Sequence, residues 1–579
     1  MALRATTTAT SSSTGAILAF NPGEWFVTDD ATGQDATIHV YALPDTNIDD
    51  FEYRIDGGTW TSLGGSTVGT YGITTAADKT QYLVELRSTN TDSQSWPSLP
   101  RQITTTAAGT VVTSNATLVT ALNAATNGDT ITLSSAWTEA AISISGYSFS
   151  TSNRVVINQQ NGGTVKTSQI TNCQGLEFVG VVFEHDNQGN GSIGTPSSAN
   201  TANNWDTSSN IVARNCSFDC GPSEDRSNRT TAQLDERWAA LRSISGTYTL
   251  DTCFFDRVRD GIGAFSNSIM AVDYTHFQYV YEDGATGSDP QIISWTYNSF
   301  TMSEGRNKRT FTYTLDSGAI SAGDIFTKSV DGTEYEVLRI LSAAGGSGVA
   351  EYNNYSAIPS GTFINQSQTG QISSVSMGGS NTGIHGDFFQ PFKTSNNASD
   401  YEINMSHCYV YRSTAHDFTT IGQEQNVQGL LAQNDFSTND RWYPLNVSYN
   451  IICGGQAIGL RVIGGGKTSG TQGTMNYNSV LWQPYQNGGS DLEFTVQDTT
   501  VSFNIGDNNS GGAVDDNGAT GTSSVVSNVF VDGNGAGITN NFPNIWTYPQ
   551  RLDYFAPESG QAVDTGSAGA LTTAGAFRG

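Results

Sequence analysis

A short phrase recurs through the later part of the chain and constrains its fold more than any single segment does. It joins a small polar residue, often Asn or Thr, to an aromatic or aliphatic one, and it occurs as Asn215-Cys216-Ser217-Phe218, Thr252-Cys253-Phe254-Phe255, Thr275-His276-Phe277, Asn298-Ser299-Phe300, Asn434-Asp435-Phe436, Asn478-Ser479-Val480 and Asn528-Val529-Phe530. The intervals vary, and several are about 22 to 30 residues, the length of one coil of a solenoid. An Asn at a corner adopts the left-handed conformation readily and hydrogen-bonds to its copies in neighbouring coils. The phrase therefore predicts a chain that stacks coil on coil from about Thr110 to its end.

The segment from Thr113 to Phe183 predicts how this solenoid begins. Leu118, Leu122 and Ala125 stand near helical spacing among polar residues, which indicates a short amphipathic helix. Short β-branched strands follow it, each closed by Gly, Asn or Ser. The segment ALNAATNGDTITLSS resembles the N-terminal cap of pectate-lyase-like and alginate-lyase-like right-handed parallel β-helices, and of many phage tailspikes, while LDYFAPESGQAVDTGSAGALTTAGAFRG resembles their C-terminal ending. The resemblance covers residues 108–579 and implies that the substrate is a polysaccharide.

Two further regions stand apart from the solenoid. Residues 1–14 form a polar tail, and residues 15–107 alternate strands and turns; FEYRIDGGTWTSL and QYLVELRSTNTDSQSWPSLPRQITT resemble a fibronectin type III or related immunoglobulin-like sandwich. Residues 302–375 break the repeat with short alternating strands, which predicts a small β-module inserted into one coil. The fold class predicted is all-β: a right-handed parallel β-helix with an N-terminal β-sandwich and an inserted small β-domain.

Composition and charge limit the partners. With 63 Gly, 26 Phe, 23 Tyr and only 14% charged residues, the chain suits all-β structure with many turns rather than disorder. The net charge of −28 argues against a nucleic-acid partner, because phosphate binding needs clustered Lys and Arg. Solubility in a salty medium explains this acidity, and Ca²⁺ sites are the alternative. We expect no cofactor and no dedicated metal site, with Ca²⁺ left open.

The six cysteines show neither CxxC pairs nor zinc-finger spacing. Most of them fall in apolar, strand-like runs, so we predict buried thiols stacked between coils. A bridge between Cys216 and Cys220 stays open at this stage.

A second phrase, an acid entering a strand from a tight turn, marks candidate catalytic residues. It occurs as Arg259-Asp260-Gly261-Ile262, Glu282-Asp283-Gly284-Ala285, His385-Gly386-Asp387-Phe388-Phe389-Gln390 and His416-Asp417-Phe418. If these segments align, their acids form a column with one carboxylate per coil, about 4.8 Å apart. Neighbours in such a column stand near the roughly 5 Å of a retaining glycosidase pair, and alternate members near the upper end of inverting spacing. Asp before Gly also caps turns, so a structural role for these acids remains the alternative.

The segment GIHGDFFQPF is the sharpest local signal in this column. It resembles an H-x-D-x-x-Q phrase of carbohydrate-active β-helices, with His385, Asp387 and Gln390 on the outward side of a strand. We predict Asp387 and Asp283 as acid and base or nucleophile, with His385 assisting. The other candidates of the column are Asp260, Asp417 and His416.

Substrate-binding candidates surround these acids. Gln390 offers an amide, Arg259 and Arg412 offer cations for an acidic sugar, and Phe389, Trp295 and Trp482 offer rings for stacking. Alginate-lyase-like β-helices generally use Lys and Arg for catalysis. This chain has just six Lys, none of them in the acid column, which favours hydrolysis or binding over a lyase reaction.

Together these patterns favour a phage tailspike or tail-fibre protein that binds, and hydrolyses, a bacterial surface polysaccharide. Such proteins are homotrimers of the virion, so we expect a trimer made in the host cytoplasm and contacts with other virion or tail proteins through the N-terminal region. The N-terminus carries no apolar run of signal-peptide length and no later segment reads as a membrane span. The alternatives are a bacterial β-helix lyase acting on a uronate glycan, and a glycan-binding adhesin or virion decoration protein without catalysis.

Overall fold

The residues that the structure describes fold mainly into strands. In the computed structural model the described residues are 24–30, 35–42, 48–75, 81–90, 95–97, 101–137, 141–160, 162–184, 201–219, 239–256, 258, 260–280, 283–288, 292–302, 308–317, 320–321, 324–328, 334–344, 346–353, 363–365, 371–376, 386–393, 402–412, 427–434, 445–453, 460–465, 473–481, 492–497, 499–502, 504–508, 514–520, 524–526 and 529–532. The predicted right-handed parallel β-helix, with an N-terminal β-sandwich and an inserted β-domain, is the architecture of these residues.

The N-terminal sandwich consists of two antiparallel sheets. One contains strands Glu24–Asp30, Asp35–Ala42 and Gly69–Thr74; the other contains Ile48–Ile55, Thr61–Ser62, Gln81–Asn90, Ser95–Pro97 and Arg101–Thr104. Strict alternation along Gln81–Asn90 turns Val84 and Leu86 inward, where they pack with Ile38 and Phe51. The two sheets therefore share one apolar core, which is separate from that of the solenoid.

The predicted helix caps the solenoid and spans Asn115–Ala124. Ser114 precedes it and accepts a hydrogen bond from the Thr117 amide, while the Thr117 hydroxyl accepts one from the Ser114 amide at 3.0 Å. This reciprocal capping satisfies amides that the first helical turn leaves without partners. Leu118 and Leu122 are buried against the first coils, as the helical spacing predicts.

Three parallel sheets form the solenoid. Sheet 1 contains Ala141–Ser145, Thr167–Thr171, Thr201–Asp206, the first parts of Ala239–Asp251 and Ile262–Asp273, Ala285–Ser288, Gly386–Lys393, Val427–Asn434, Leu460–Gly465, Leu492–Gln497 and Val514–Thr520. Sheet 2 contains Thr110–Val112, Thr130–Leu133, Val155–Gln159, Gln174–Val179, Ser209–Arg214, the second parts of Ala239–Asp251 and Ile262–Asp273, Ile292–Thr296, Glu402–Ser406, Leu445–Ser448, Gly473–Asn476, Thr499–Ser502 and Ser524–Val526. Sheet 3 contains Val182–Glu184, Ser217–Asp219, Phe254–Asp256, His276–Val280, Ser299–Met302, Tyr409–Arg412, Ile451–Cys453, Ser479–Leu481, Ile505–Asn508 and Val529–Asp532.

The inserted domain is a closed antiparallel barrel. Its strands are Lys308–Ser317, Ile325–Lys328, Glu334–Ala344, Ser347–Asn353, Phe363–Asn365 and Gln371–Ser376. Tyr313, Phe326 and Ala350 are buried in it. In the chain the barrel stands between the sheet 3 strand Ser299–Met302 and the sheet 1 strand Gly386–Lys393, so it interrupts one coil at the corner between these sheets.

Stacked phenylalanines fill the interior, one in each successive coil. The ring centroids of Phe183 and Phe218 are 4.9 Å apart, those of Phe218 and Phe255 4.7 Å, and those of Phe255 and Phe277 4.8 Å. All four side chains are buried. Burial of each contributes about 1.5–3 kcal/mol, so the stack is a main source of solenoid stability.

Asparagines stack at the corner between sheets 2 and 3, as the recurring phrase predicts. The Oδ1 of Asn478 accepts the Asn450 amide at 3.1 Å, and the Oδ1 of Asn504 accepts the Asn478 amide at 3.0 Å. These side chains are fully buried, so their amides supply partners that main-chain groups at a buried corner need. The predicted phrase at Asn434 does not belong to this corner, because Asn434 lies in sheet 1 beside Lys393.

The left-handed residue of these corners is not the stacked asparagine. It is the residue before it, such as Tyr449 before Asn450 and Tyr477 before Asn478, with φ near +60°. The prediction was wrong by one position, because the inward corner position needs an amide for hydrogen bonding and the outward one takes the positive φ. Only in the coil of Asn215 is the left-handed residue an Asn of the phrase, with φ of 52°.

Cysteines occupy equivalent inward corner positions in other coils. Cys216, Cys253 and Cys408 are buried free thiols there, and Cys173 is a fourth buried free thiol. The prediction of buried thiols is confirmed for these four residues. Since Cys216 is free, it does not bridge to Cys220, which lies outside the described residues.

The sandwich docks on the first coils of the solenoid. The Asn215 side chain accepts the Thr104 amide at 2.9 Å and donates to the Gln102 carbonyl at 2.8 Å. The Phe26 ring stacks on Phe254 of sheet 3 with centroids 4.7 Å apart. The N-terminal region therefore covers the corner between sheets 2 and 3 in these early coils.

Candidate functional site

The corners of the solenoid differ in length, and this difference locates the candidate site. Between sheets 2 and 3 the connection is two residues in every coil that the structure describes on both sides. Between sheets 3 and 1 it runs over residues 220–238, 257–261, 281–284 and 303–385 in four consecutive coils, the last containing the barrel. Variable connections carry binding and catalytic groups in solenoids more often than uniform ones do. The two short connections stand between two long ones, and they hold two of the predicted acids.

Strand pairing places three of the predicted acids at equivalent positions. Ile262 pairs with Ala285, and Ala285 pairs with Phe389. Asp260, Asp283 and Asp387 each precede these residues by two positions. They therefore occupy consecutive coils at the start of sheet 1.

The fourth predicted member of the column is not at the equivalent position. Asp387 pairs with Gln428 in the following coil, so a glutamine continues the column there. Asp417 and His416 lie outside the described residues, as do His385, Arg259 and Trp482.

Asp260 holds the main chain of the next coil. Its Oδ1 accepts the amide of Asp283 at 3.0 Å, and the Gly261 amide donates to the Asp283 carbonyl at 2.8 Å. Asp260 is 2% exposed and Asp283 is 7% exposed. The structure thus gives Asp260 the structural role that Asp before Gly suggested, and this role fixes the position of Asp283.

Glycines after these acids allow the coils to approach closely. A Cβ at Gly261 would lie 2.5 Å from the Gly284 carbonyl oxygen and 2.8 Å from Cε1 of Phe277. A Cβ at Gly284 would lie 2.4 Å from the Phe388 carbonyl oxygen. Only glycine fits at both positions, so the Asp-Gly phrase reflects the contact between coils as well as the acid.

The spacing of the column follows from the parallel pairing. Adjacent coils lie about 4.8 Å apart, so Asp283 stands one such step from Asp387, and Asp260 and Asp387 are separated by roughly 9.6 Å. Two carboxylates about 5 Å apart suit attack on a sugar with a covalent intermediate. The strand Gly386–Lys393 fixes the backbone of Asp387.

Asp256 is an acid at this corner that the sequence reasoning missed. It ends the sheet 3 strand Phe254–Asp256, pairs with Asp219 and Gln278 in the neighbouring coils, and is buried. It stands in the same coil as Asp260, four residues earlier. The available signal was an acid directly after the aromatic residue of the recurring phrase, at Asp219 and again at Asp256.

A second missed residue is Arg242, on the outer face of sheet 1. Its Nη1 lies 3.6 Å from Oδ2 of Asp206 and 3.4 Å from Oδ1 of Asn204, and its guanidinium lies 5.9 Å from the Phe265 ring centroid. Burial raises the pKa of Asp206, and the Arg242 charge opposes that shift. The segment AALRSIS alternates, so that Leu241 faces inward and Arg242 faces outward. This alternation could have identified Arg242 as a surface residue.

Two predicted stacking platforms belong to the core instead. Trp295 is 1% exposed and its ring lies 5.2 Å from Phe277 and 5.1 Å from Phe389, which is itself buried. The prediction that Trp295 and Phe389 stack on a sugar is therefore wrong, because both fill the space between coils. Gln390 is half-buried beside Thr286 on the outer face of sheet 1.

The remaining predicted ligand, Arg412, ends the sheet 3 strand Tyr409–Arg412. The described residues contain no group of three or more His, Cys, Asp or Glu side chains arranged to hold a metal ion. No helix among the described residues is long and apolar enough to cross a membrane.

No family model and no curated protein matches the chain. Among solved structures it is similar to a family 28 exopolygalacturonase from Yersinia enterocolitica, at 8% identity over 87% of this chain and 98% of that one, with a TM-score of 0.28. It is also similar to a PL6 family polysaccharide lyase from Pseudopedobacter saltans, at 9% identity over 74% and 94%, with a TM-score of 0.27. A third is the catalytic domain of a GH87 alpha-1,3-glucanase, at 9% identity over 89% and 94%, with a TM-score of 0.26. These likenesses do not assign the chain to any of the three families.

Proposed function

We propose that this protein binds a polysaccharide at the corner between sheets 3 and 1 and hydrolyses it there. The observation that carries the proposal is the column of Asp260, Asp283 and Asp387 in consecutive coils, between two long connections. Carboxylates paired at this spacing are what glycoside hydrolysis needs.

Asp283 and Asp387 form the reacting pair in this proposal. One carboxylic acid donates its proton to the glycosidic oxygen while the other carboxylate attacks the anomeric carbon, so the bond to the leaving sugar breaks as a glycosyl ester forms. Water then attacks the anomeric carbon and the ester bond to the carboxylate breaks. The first group takes the proton that water loses. The single-coil spacing of about 4.8 Å favours this retaining route. Asp260 acts as a positioning residue through the Asp283 amide.

The wider role that we propose is that of a phage tailspike or tail fibre acting on a bacterial surface polysaccharide. The docked sandwich supports it, since an N-terminal module held on the first coils offers a rigid attachment to other virion proteins. The proposal includes a homotrimer, which light scattering after size exclusion tests. A monomer would contradict the spike assembly without touching the hydrolase proposal.

The test of hydrolysis is loss of cleavage in Asp283→Asn and Asp387→Asn. Purified capsules and lipopolysaccharide O-chains from a panel of bacteria serve as substrates, and new reducing ends are counted. We expect both variants to lose cleavage by a factor of about a thousand or more. Asp316→Asn, an exposed residue of the inserted barrel, is the matched control and should cleave like the parent.

Arg242 favours a second candidate function, a lyase acting on a uronate glycan. It lies on sheet 1 three residues further along the strand direction than the acid column, roughly 10 Å away, where a neighbouring sugar carboxylate would meet its charge. Unsaturated uronate products, detected by their ultraviolet absorbance, would establish this reaction in place of hydrolysis. Glycan binding with neither product would leave an adhesin.

A further inference from the structure

Five rings, three of them exposed and two half-buried, stack along the corner between sheets 2 and 3, far around the coil from the acids. They belong to Tyr274, Tyr297, His407, Tyr449 and Tyr477, the left-handed residues of five consecutive coils. Successive centroids lie 4.8, 4.5, 4.9 and 4.9 Å apart, with the planes within 16° of parallel. Tyr274 is 49% exposed and Tyr297 is 39% exposed. We call this row the aromatic ridge.

The ridge begins where the N-terminal sandwich ends. The same corner position is Gly180, Asn215 and Thr252 in the three preceding coils, and the sandwich covers the first two of these. A bulky residue at positive φ is strained, whereas Gly and Asn adopt that conformation at little cost. Aromatic residues therefore adopt this strained backbone conformation only in coils beyond those that the sandwich covers.

A strip of uncharged polar side chains lies beside the ridge on the outer face of sheet 2. The last two outward positions of each strand there are held by Ser294, Thr296, Asn404, Ser406, Asn446, Ser448, Thr474, Asn476, Thr500 and Ser502. Glu402, which begins its strand, is a further half-buried outward residue beside them. Most of them are half-buried, as side chains on a sheet surface are, and the residues between them, such as Trp295, Met405 and Val447, face the core. We call this the polar strip.

The polar strip starts at the same coil in which the ridge gains its second ring. In the four earlier coils the same two positions hold charged residues, Glu177, Arg214, Asp251 and Asp273, beside Val179, Val212, Thr249 and Ala271. From Ser294 onward all ten positions carry a hydroxyl or a carboxamide. Two independent features, the ridge and the strip, thus begin within one coil of each other along the solenoid.

We propose that the polar strip and the aromatic ridge form a second carbohydrate-binding surface, which takes a neutral polysaccharide lying along the solenoid axis. Hydroxyl and carboxamide groups donate and accept hydrogen bonds as sugar hydroxyls do. Tyrosine adds a rigid ring with a hydroxyl at its edge, and ring edges carry the partial positive charge that attracts sugar oxygens. The ten positions include no aliphatic side chain, whereas the core of a protein–protein interface is apolar.

Three rings of the ridge have pKa shifts that favour their neutral forms. Burial raises the pKa of Tyr274 and Tyr449, so both remain hydrogen-bond donors. Burial also lowers the pKa of His407, so its ring stays neutral. These directions agree with a neutral ligand rather than with an acidic one.

The repeat of the surface suits a repeating polymer. Each coil presents the same groups about 4.8 Å further along the axis, close to the length of one sugar residue, and the five rings of the ridge span roughly 19 Å. Contacts that are weak singly add when successive sugars meet successive coils. The surface therefore holds a chain segment of several residues and has no end pocket.

The blocking variant is Ser406→Arg. Arg214 occupies the same outward position of sheet 2 as Ser406, four coils earlier in the column. The fold therefore accepts arginine at this position. Electrophoresis of the full chain in native gels that contain dextran, galactomannan, xyloglucan or hydroxyethylcellulose measures retardation. We expect at least one of these polymers to retard the parent and Ser406→Arg to weaken that retardation about tenfold in dissociation constant.

The ridge has its own variant, with Tyr297, Tyr449 and Tyr477 each replaced by Asn. Asn215 holds the same corner position at φ of 52° in this chain, so the substitutions remove rings without removing a backbone preference. Thermal melting checks folding. We expect the triple variant to lose retardation, and the corresponding Phe variants, which keep the rings, to lose less of it.

The proposal is overturned if none of the four neutral polymers retards the parent, or if Ser406→Arg and the triple Asn variant migrate like the parent. It is also overturned if these variants change the mass of the assembly in light scattering while retardation is unchanged, since the surface would then join copies of the chain. Cleavage is measured separately, on the capsules and O-chains used to test hydrolysis. Retardation by a neutral polymer, with no cleavage of any capsule or O-chain, would contradict the hydrolase proposal and leave this one standing.

Discussion

Asp260 shows how one side chain serves two coils. Its carboxylate accepts the amide of Asp283, and both residues are buried. An amide oxygen accepts the same hydrogen bond, whereas a methyl group leaves a buried N–H without this partner, at a cost of about 1–3 kcal/mol. Asp260→Asn should therefore melt and cleave close to the parent, and Asp260→Ala should melt at a lower temperature and cleave more slowly.

Rescue by asparagine is what separates positioning from catalysis at this residue. A neutral amide neither donates a proton to a glycosidic oxygen nor attacks a sugar. If Asp260→Asn melts like the parent and has lost all cleavage, Asp260 belongs to the reacting pair. The single-coil assignment of Asp283 and Asp387 would then give way to the roughly 9.6 Å pair of Asp260 and Asp387.

His39 predicts a pH dependence of the sandwich. Its Nε2 lies 2.8 Å from the Thr28 hydroxyl, its ring stacks on Phe26, and burial lowers its pKa to about 4. Because the folded pKa lies below the unfolded value of about 6.5, the stabilising effect is complete above pH 6.5 and is lost progressively as the pH falls toward 4. The loss should reach about 1–3 kcal/mol, less than the full shift because the ring keeps some contact with water.

The measurement is the melting temperature of the full chain between pH 7 and pH 4, compared with His39→Gln. The glutamine amide still reaches a hydroxyl partner but does not titrate in this range. We expect the parent to lose more stability than His39→Gln over that window. Parallel curves for the two proteins would remove His39 as the source.

The asparagine ladder acts at the scale of the element, since each side chain joins three coils. The Oδ1 of Asn478 accepts from Asn450, and its Nδ2 donates to Asn504 at 2.9 Å and to the Val447 carbonyl at 3.0 Å. Asn478→Ala removes these partners from buried groups, each loss costing about 1–3 kcal/mol. We expect a clear drop in melting temperature.

Two further variants, one expected to lose less stability and one a control, test this prediction. Asn478→Thr should lose less, because Thr275 occupies the same corner position and its hydroxyl accepts the Cys253 amide at 3.2 Å. Asn476→Ala, a half-buried outward residue of the same coil, is the matched control and should change little. If Asn476→Ala and Asn478→Ala lower the melting temperature equally, burial of the asparagine ladder does not add to its stabilising effect.

The same corner shows what a sequence can and cannot predict at this scale. The Asn-x-Phe phrase located the corner because buried main-chain groups there need an amide partner in each coil. It misplaced the left-handed residue by one position, since Tyr297 and Tyr449 carry positive φ against their intrinsic preference and are held by stacking across coils. Contacts between residues far apart in the chain decide that conformation, and a local pattern does not contain them.

The candidate site was predictable to a similar extent. The column of Asp260, Asp283 and Asp387 follows from a phrase that places an acid two residues before the paired residues Ile262, Ala285 and Phe389 of sheet 1, so the sequence alone indicated it. Trp295 was assigned to the surface in error, because the direction of a side chain depends on strand register rather than on residue type. Arg242 was overlooked for the same reason, since its neighbours Asp206 and Asn204 come from another coil.

At the scale of the whole molecule, the net charge of −28 makes the melting temperature depend on salt concentration. Repulsion among these charges opposes the compact state, and salt shortens its range from about 30 Å at 0.01 M to about 8 Å at 0.15 M. We expect the melting temperature to rise by a few degrees over this range in NaCl. Screening depends on ionic strength, so we expect KCl to have the same effect as NaCl.

CaCl₂ at matched ionic strength separates screening from specific binding. A bound ion stabilises the folded state beyond screening, by an amount that grows with the logarithm of its concentration above the dissociation constant. Equal melting temperatures in NaCl and CaCl₂ would mean that the acidity acts as a general field around the solenoid. An additional rise in CaCl₂, reversed by a chelator, would establish a Ca²⁺ site, and repeating the melt with Asp283→Asn would show whether the acid column supplies it.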